Sequence, residues 1–303
     1  MRNLLTLEEF TPQELRDLIS LSFKIKKKPR KYRKRLREKQ IVMIFEKPSL
    51  RTRLSFELGI EQMGGNAVFY PMQESTIGHK ETWEDFAHVV SSYSDHGIVC
   101  RLFAHKDIER IAAASKIPVI NALTNEHHPM QAIADFMTIY EKKKTYRVTI
   151  AYVGDAKNNV THSLMIASRI LGAKMNIAFP KGYAPLPEIY EKTKSCVQLF
   201  TDPDQAVKDA DIIYTDSWMS YNIAEKEKAK RIKALQGYQV NTKLLSHARP
   251  NALVMHCLPA TRGMEITNEI IDGNQSIIFQ QAENRLHTTK AVLLTVLKEK
   301  EKK

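Results

Sequence analysis

The sequence predicts an α/β protein with two related doubly wound domains, each a parallel sheet flanked by helices. Short apolar runs alternate with segments of helical period along the 303-residue chain, and the alternation begins again after the polar stretch at 141–147. Such alternation is typical of parallel sheets, and about 150 residues is an ordinary domain length. We expect domains over 1–143 and 144–284, with a C-terminal helix over 285–303 that packs back on the first domain.

The first half begins with a helix that Thr11 is expected to cap, with Glu14 three residues after the cap. Apolar runs then predict strands over 41–45, 66–70, 97–103 and 117–122. Helical spacing predicts further helices over 49–63, 83–94, 108–115 and 130–140. In the helix over 49–63, the apolar residues at helical spacing are Leu54, Leu58 and Met63.

The second half repeats the pattern. Strands are predicted over 148–154, 174–180, 196–200, 211–216, 252–259 and 275–280. Helices are predicted over 160–171, 186–193, 203–209 and 282–297. Ligands of open α/β sheets bind at the carboxyl ends of the strands, so the functional residues are expected there.

Composition excludes several classes of protein. Hydrophobic residues make up 43% of the chain and charged residues 26%, which is ordinary for a globular protein and not for a disordered or fibrous one. No apolar run approaches the ~18 residues of a membrane-spanning helix, and the early acidic residues are unlike a signal or transit peptide. Cys100, Cys196 and Cys257 lie far apart and form no metal-binding spacing. A reducing cytoplasm is the expected compartment, with at least one thiol available for chemistry.

The net charge of +12 is concentrated in one segment, Lys24–Lys39, which holds eleven Lys and Arg residues and one Glu. A single basic run of this kind is typical of a solvated helix face or loop, and no nucleic-acid-binding motif accompanies it. We therefore expect neither a nucleic-acid partner nor a membrane partner. A basic surface can also attract an anionic small substrate.

The stretch Ser49-Leu50-Arg51-Thr52 follows a predicted strand and opens a helix. The free N–H groups of a helix N-terminus, two hydroxyls and a guanidinium together suit a phosphate group. A Ser-capped helix with a surface arginine explains the same residues equally well.

The stretch at 126–131 also lies where a strand passes into a helix. His127 and His128 are adjacent, but neighbours in sequence rarely point the same way, and no partner lies at metal spacing. His128 and Gln131 can instead face a ligand at the helix N-terminus. The alternative for His128 is a capping role.

In the second half, the stretch 154–159 (GDAKNN) lacks the three-glycine spacing of a dinucleotide site, and its asparagines suit either a turn or a ligand. Asp216 at a strand end can hold an amine or cap the next helix. Cys257 can be reactive or a buried, inert thiol. Arg285 can clamp an anion or pair with Glu283 or Glu265.

Taken together, the stretches SLRTR, HHPMQ, GDAKNN, DSWMS, HCLPA and QAENRLHTTKAV resemble, in this order, the carbamoyltransferase family. The resemblance runs from about residue 3 to residue 297. HCLP and QAENRLH are similar to the ornithine branch of that family rather than to the aspartate branch. The resemblance implies transfer of a carbamoyl group from carbamoyl phosphate to L-ornithine, without metal or organic cofactor.

The resemblance also implies roles for individual residues. The donor would be bound by Ser49, the Leu50 backbone, Arg51, Thr52, Arg101, His128, Gln131 and Arg285. The acceptor would be bound by Asn159, Asp216, Ser220, Tyr221, Cys257 and Leu258. The groups implied in catalysis are Arg51, Arg101, His128, Asp216, Cys257 and Arg285.

Family members are homo-oligomers built from trimers, so a trimer is implied. The loop Thr76–Lys80 would complete the phosphate site of a neighbouring subunit, with Thr76 as the contact. The resemblance further implies a cytoplasmic enzyme of arginine biosynthesis, although the sequence leaves open whether citrulline is made or broken down.

Three positions depart from the family pattern. Leu50 and Thr76 replace the usual Thr and Gln, and Ser220-Tyr221-Asn222 replaces the usual Ser-Met-Gly of the acceptor loop. This last change leaves putrescine or an acylated ornithine as an alternative acceptor. An alternative from another class is a non-catalytic protein that binds nucleic acid or a partner through Lys24–Lys39. The acceptor loop is expected to act as a lid over ornithine.

Overall fold

The computed structural model describes residues 2–72, 75–78, 80–93, 96–219 and 223–297. The chain divides into two compact units. The first comprises Met1–Met137 together with Asn284–Lys303, and the second comprises Thr138–Glu283.

The first unit contains a four-stranded, all-parallel sheet. Its strands are β1 Gln40–Phe45, β2 Asn66–Pro71, β3 Gly97–Arg101 and β4 Val119–Leu123, in the spatial order β2-β1-β3-β4. Its helices are α1 Pro12–Lys27, α2 Leu50–Glu61, α3 Trp83–Tyr93 and α4 His105–Ala114, and α5 Pro129–Lys143 crosses into the second unit. Apolar side chains of β1, β3 and β4 pack with those of α3 and α4.

The second unit contains a five-stranded parallel sheet in the order β7-β6-β5-β8-β9. Its strands are β5 Thr149–Val153, β6 Lys174–Ala178, β7 Val197–Phe200, β8 Ile212–Thr215 and β9 Leu253–His256. Its helices are α6 Asn159–Leu171, α7 Pro187–Thr193, α8 Pro203–Val207, α9 Glu225–Leu235, α10 Thr242–Ser246 and α11 Asn268–Ile271. The last helix, α12 Ile278–Val296, begins in this unit and belongs to the first unit from Asn284 onwards. The predicted fold class is therefore confirmed, including the return of the C-terminal helix.

Local sequence explains where the helices begin and end. The Thr11 hydroxyl accepts from the Glu14 N–H, and the Glu14 carboxylate accepts from the Thr11 N–H, so α1 has the predicted reciprocal cap. α6 ends at Gly172, which adopts φ +84°. No helix in the described part of the chain is both long and apolar enough to cross a membrane.

Two sequence expectations differ from the structure. In α2, Leu54 and Leu58 are exposed, and the buried face carries Phe56 and Ile60 instead. The predicted strand over 275–280 is wrong, because only Ser276 forms a bridge, to Val254, before α12 begins. A short apolar run fits the first turn of a buried helix as well as a strand, and periodicity does not separate the two.

The basic segment Lys24–Lys39 comprises the end of α1, a 3₁₀ turn at Pro29–Tyr32 and a loop. Tyr32 and Leu36 are buried, while most of the basic side chains are exposed. The Leu36 N–H donates to the Met63 carbonyl at 2.9 Å, which fixes the segment to the end of α2. The segment is thus the solvated, folded surface that the sequence predicted.

Gly64 makes the close approach of this segment possible. Its φ is +84°, and a Cβ atom there would lie 2.7 Å from the Arg33 carbonyl oxygen. Gly182 has a similar φ of +93°, but a Cβ atom added at Gly182 would have no other atom within 4 Å. We predict that Gly64→Ala lowers the free energy of unfolding by roughly 3 kcal/mol, and Gly182→Ala by only about 1–2 kcal/mol, which is the strain alone. Chemical denaturation measures both. Equal losses would show that the Arg33 carbonyl moves aside at no cost.

Candidate functional site

The predicted phosphate-binding residues lie where the strand order of the first sheet reverses. The chain passes from β1 to β2 on one side, and then to β3 on the other side of β1. In open parallel sheets such a reversal opens a crevice at the carboxyl ends of the strands. The stretch 49–52 follows β1, and Arg101 is the last residue of β3, so both lie at this crevice.

The N-terminus of α2 presents the first set of groups. Ser49 is its cap, and the Ser49 hydroxyl accepts from the Thr52 N–H at 3.3 Å. Leu50 is 69% exposed and its side chain has no hydrogen-bonding group, so this residue can offer only its backbone N–H to a ligand in the crevice. Arg51 is half-buried in the first turn. The N–H groups of a first turn have no partner within the helix, so the cap and an anion site are compatible.

Two buried arginines converge on Thr52. Arg101 is 6% exposed and Arg285, on α12, is 4% exposed. Arg101 Nη1 lies 3.4 Å and Arg285 Nη2 3.2 Å from Thr52 Oγ1, where each donates. The structure thus brings together three residues that lie far apart in the chain.

Gln131, in the first turn of α5, connects this cluster to a buried carboxylate. Its Oε1 accepts from Arg285 Nη1 at 2.5 Å, and its Nε2 donates to Asp135 Oδ1 at 2.8 Å. The amide orientation is fixed by having a cation on one side and an anion on the other. Sequence reasoning missed Asp135. Its signal is an acidic residue one turn after Gln131 within an apolar helix.

His128 is buried beside the same cations, and its carbonyl accepts from the Gln131 N–H at 3.0 Å. Burial, and then the charges of Arg285, Arg101 and Lys47, hold its pKa well below the usual value. The imidazole is therefore neutral at physiological pH. His127 packs instead against His105, with ring centroids 4.7 Å apart, so the adjacent histidines have separate surroundings.

Sequence reasoning also missed Lys47, which is 6% exposed and follows β1 by two residues. Its ammonium group donates to Asn125 Oδ1 and lies 4.6 Å from the centroid of the Phe103 ring. The available signal was a lysine between an apolar strand and a helix cap, at the end of the sheet where ligands bind.

The second unit places its predicted residues at its own reversal of strand order. The chain leaves β5 towards β6 and β7, and β8 lies on the other side of β5. The stretch 154–159 follows β5, and Asp216 follows β8. These two groups of residues therefore lie at neighbouring strand ends.

Within 154–159, the two asparagines have different positions. Asn158 caps α6, since its Oδ1 accepts from the Thr161 N–H at 2.9 Å, while Asn159 is the first helical residue and is half-buried. Gly154 has φ +130°, and a Cβ atom there would lie 3.4 Å from Trp218 Nε1. The turn therefore packs closely against the residues that follow Asp216.

Asp216 and Cys257 form a hydrogen-bonded pair. Cys257 Sγ donates to Asp216 Oδ1 at 2.8 Å, and the Ser217 N–H donates to the same oxygen at 2.7 Å. Burial raises the pKa of Asp216, against the opposing effects of His256 and of the Cys257 hydrogen bond. Burial also raises the thiol pKa values of Cys100 and Cys196. Those two thiols are therefore poor nucleophiles.

Among the described residues, one group of potential metal ligands occurs, Asp216, His256 and Cys257, whose ligand atoms lie within 4.8 Å of one another. His256 Nδ1 accepts from the Leu258 N–H at 2.9 Å, and its Nε2 lies 3.3 Å from Glu265 Oε1. Both ring nitrogens are thus engaged, and a metal ion would have to displace one of these contacts.

Leu258 itself adopts φ +56°, a conformation that is rare outside glycine and concentrated at functional sites.

Arg231 on α9 is a further residue that sequence reasoning missed. Its guanidinium donates to the Trp218 carbonyl and to Asp155, and it lies 5.0 Å from the centroid of the Tyr183 ring. It therefore ties the segment after Asp216 to the turn after β5.

Two predicted acceptor contacts, Ser220 and Tyr221, lie outside the described residues, as does Asn222. Thr76 is described and exposed, and its carbonyl accepts from the N–H groups of Lys80 and Glu81 at 2.9 and 3.1 Å. Thr76 thus belongs to a compact turn, of which His79 is outside the described residues.

Comparison with known proteins identifies both halves of the chain. Residues 2–141 match the carbamoyl-P binding domain, and residues 146–296 the Asp/Orn binding domain, of aspartate/ornithine carbamoyltransferase. An ornithine carbamoyltransferase of Bacillus thuringiensis subsp. konkukian is 46% identical, over 98% of this chain and 95% of that protein.

Solved structures agree. The ornithine carbamoyltransferase of Pyrococcus furiosus is 43% identical with a TM-score of 0.92, and the alignment covers 98% of this chain and 97% of that one. The enzyme of Thermus thermophilus is 39% identical with a TM-score of 0.89, over 98% and 99%. These matches, which extend over nearly the whole chain, confirm the resemblance seen in the sequence motifs. The chain therefore belongs to the aspartate/ornithine carbamoyltransferase family.

Proposed function

We propose that the protein transfers the carbamoyl group of carbamoyl phosphate to the side-chain amine of L-ornithine, giving L-citrulline and phosphate. The observation that carries this proposal is the pair of buried arginines, Arg101 and Arg285, that meet at Thr52 beside a helix N-terminus. Positive charge in this arrangement suits a small phosphorylated donor. The names of the relatives favour ornithine over putrescine, acylated ornithine or a nucleic-acid partner.

The first unit would bind the donor. Arg51 and the N–H groups of the first turn of α2 would hold the phosphate, while Arg101 and Arg285 would reach both the phosphate and the carbonyl oxygen. Neutral His128 and Gln131 would hold the carbamoyl group. Because Gln131 accepts a hydrogen bond from Arg285, binding of the carbamoyl group would be coupled to the position of that guanidinium.

The second unit would bind the acceptor. Asn159, Asp216 and Ser220 would hold the amino-acid end, and Cys257 and Leu258 would lie beside the side-chain amine. The thiol of Cys257 already donates a hydrogen bond to Asp216, so the thiol proton can shift between these two groups when an amine binds. The amine must be neutral to attack, and the raised pKa of Asp216 makes that carboxylate a better proton acceptor than an ordinary aspartate.

Attack of the neutral amine on the carbonyl carbon produces a tetrahedral oxyanion, and phosphate then leaves. Arg101, Thr52 and His128 would stabilise the oxyanion as its charge develops. No covalent intermediate with the protein is needed, because holding the two reactants in a reactive geometry supplies much of the rate. We propose that neither a metal ion nor an organic cofactor takes part.

We also propose a homotrimer with shared sites in the cytoplasm, acting in arginine biosynthesis. An exposed apolar stripe along α2, formed by Leu50, Leu54 and Leu58, supports self-association. The edge strand β2 adds Val68 and Tyr70, which are also exposed. All three cysteines are free, as is usual in a reducing compartment.

The first prediction concerns the reaction itself. Purified protein should form citrulline from carbamoyl phosphate and ornithine, and a chelator should leave the rate unchanged. Putrescine should be a poor acceptor, because it lacks the α-amino and carboxylate groups that Asn159, Asp216 and Ser220 would hold. A colorimetric citrulline assay and an acceptor panel of ornithine, lysine, putrescine and acetylornithine measure these points. Higher catalytic efficiency with putrescine or acetylornithine would overturn the acceptor, and loss of activity with chelator would overturn the metal-free mechanism.

The second prediction separates donor groups from acceptor groups. Arg51→Ala should lower kcat by about 10²–10³-fold, because it removes a charge that serves the phosphate and the negative charge that develops on it as it leaves. Cys257→Ala should mainly raise the KM for ornithine. Arg110→Ala serves as the control, since Arg110 is an exposed arginine paired with Glu84 at 2.7 Å. Near-normal turnover of Arg51→Ala would mean that the phosphate site is misassigned, and unchanged kinetics of Cys257→Ala would make that thiol a packing residue.

The third prediction concerns shared sites. Subunits carrying Arg51→Ala are mixed with subunits carrying Thr76→Ala and Lys80→Ala, each nearly inactive alone. If the 76–80 loop completes a neighbour's site, some sites of a mixed trimer contain neither change, and activity should return. Light scattering verifies the trimer, and mass spectrometry its mixed composition. Verified mixed trimers without recovered activity would place the loop in its own subunit.

A further inference from the structure

Lys47 is a buried lysine that the proposed reaction does not yet use. Its ammonium group is held by the Asn125 side-chain oxygen and the face of the Phe103 ring. Among the described residues, no carboxylate forms an ion pair with it. A buried ammonium without such a partner is costly, and an apolar side chain could pack on the same ring at lower cost. The charge at this position therefore calls for a function.

The position of Lys47 suggests that function. Lys47 follows the end of β1 by two residues, Phe103 follows the end of β3 by two, and Asn125 follows the end of β4 by two. These are three adjacent strands of the first sheet. The Lys47 side chain thus connects the end of its own strand to residues that follow the next two strands, at the edge where the donor would bind.

Hydrogen bonds from backbone N–H groups also connect the same three segments. The Asn125 N–H donates to the Phe103 carbonyl at 2.8 Å, and the Phe103 N–H donates to Glu46 Oε2 at 2.6 Å. The Thr124 N–H donates to the His127 carbonyl at 2.8 Å, which closes the turn leading to His128. A change at Lys47 is therefore transmitted through Asn125 to the turn that carries His128.

With the proposed function as its basis, we propose that Lys47 is a positioning residue for carbamoyl transfer. Its ammonium group joins the ends of β1, β3 and β4, and thereby holds the turn that carries His128 in place at the donor site. Its positive charge also adds to burial and to the charges of Arg285 and Arg101, which together keep His128 neutral, so that the imidazole meets the carbamoyl group without a competing proton.

The electrostatic surroundings support this role. Burial, followed by the charge of Arg101, lowers the pKa of Lys47 to about 8, and Glu46 opposes the shift. Lys47 in turn contributes, after burial, Arg285 and Arg101, to the low pKa of His128. Burial lowers the pKa of His105, and the charge of Glu126, on the same turn as Asn125, opposes that shift after the charge of Glu109. Lys47 is thus charged below about pH 8 and loses that charge above it.

The test compares Lys47→Met with Lys47→Arg. Lys290→Met is the matched control, because Lys290 is another buried lysine of the first unit and donates to Gln62 Oε1 at 2.5 Å. Lys47→Met should weaken carbamoyl phosphate binding and lower kcat/KM for that donor by about 10- to 100-fold, since a small displacement of a positioned group costs this much. The KM for ornithine should change less than about twofold by comparison. Lys290→Met should change neither, and equal kinetic losses in the two methionine variants would overturn the proposal.

Titration of His128 supplies a readout that a purely structural role would not move. In protein carrying labelled histidine, the His128 resonance, assigned by its loss in His128→Gln, should titrate at higher pH in Lys47→Met than in the unaltered protein. It should stay low in Lys47→Arg, which keeps the charge. Donor KM should rise above about pH 8 in the unaltered protein as Lys47 loses its proton, and less so in Lys47→Arg. A folded Lys47→Met protein with unchanged His128 titration would overturn the electrostatic role.

The proposed function and the role of Lys47 can fail separately. Donor binding and the His128 titration are measured without ornithine, so absence of citrulline in the unaltered protein rejects the function and leaves the Lys47 result readable. If Lys47→Met does not fold, Asn125→Ala removes the other partner of the contact. It should weaken donor binding to a similar degree and leave the ornithine KM unchanged. Normal donor binding in folded Asn125→Ala would overturn the positioning role.

Discussion

The burial of several positive charges in one place is the constraint on which the first unit depends. Arg101, Arg285 and Lys47 are all buried, and each contributes to lowering the pKa of His128. Like charges in a medium of low polarity repel one another strongly, and only a rigid frame of hydrogen bonds keeps them together. Thr52 and Gln131 provide part of that frame. An anionic donor would relieve the repulsion on binding, so the mutual repulsion of these cations favours a negatively charged ligand.

Sheet topology explains why residues so distant in sequence lie together within each unit. In each unit the chain builds the sheet outwards from its first strand and then returns to the other side of that strand. The reversal leaves two strand ends side by side, and the helix that follows the first strand points its N-terminus there. α2 follows β1 in the first unit, and α6 follows β5 in the second, so the same geometry occurs twice. The SLRT and GDAKNN stretches occupy equivalent places for this reason.

Local sequence predicted what local physics determines. The reciprocal cap of α1 and the parallel strands follow from side-chain chemistry and periodicity, and the strand ends of the SLRT, GDAKNN and DSWM stretches could be located in advance. Periodicity failed where burial is set by distant partners: Leu54 and Leu58 of α2 are exposed, and the run at 275–280 opens a helix instead of forming a strand. Lys47 and Asp135 were missed because only the folded structure shows their hydrogen bonds, with Asn125 and Gln131 respectively.

The two units also differ in the sign of the charge that each one buries at its strand ends: cations in the first and the Asp216 carboxylate in the second. A carboxylate bound directly to Arg285 would neutralise the charge that the donor needs. In the first unit the Gln131 amide stands in that position, with its oxygen towards Arg285 and its nitrogen towards the buried Asp135. An amine acceptor has the opposite requirement, a carboxylate with raised proton affinity. In the second unit Asp216 would meet it through burial, against the opposing effect of its hydrogen bond from Cys257. Each sheet thereby stabilises the charge state of its own side chains.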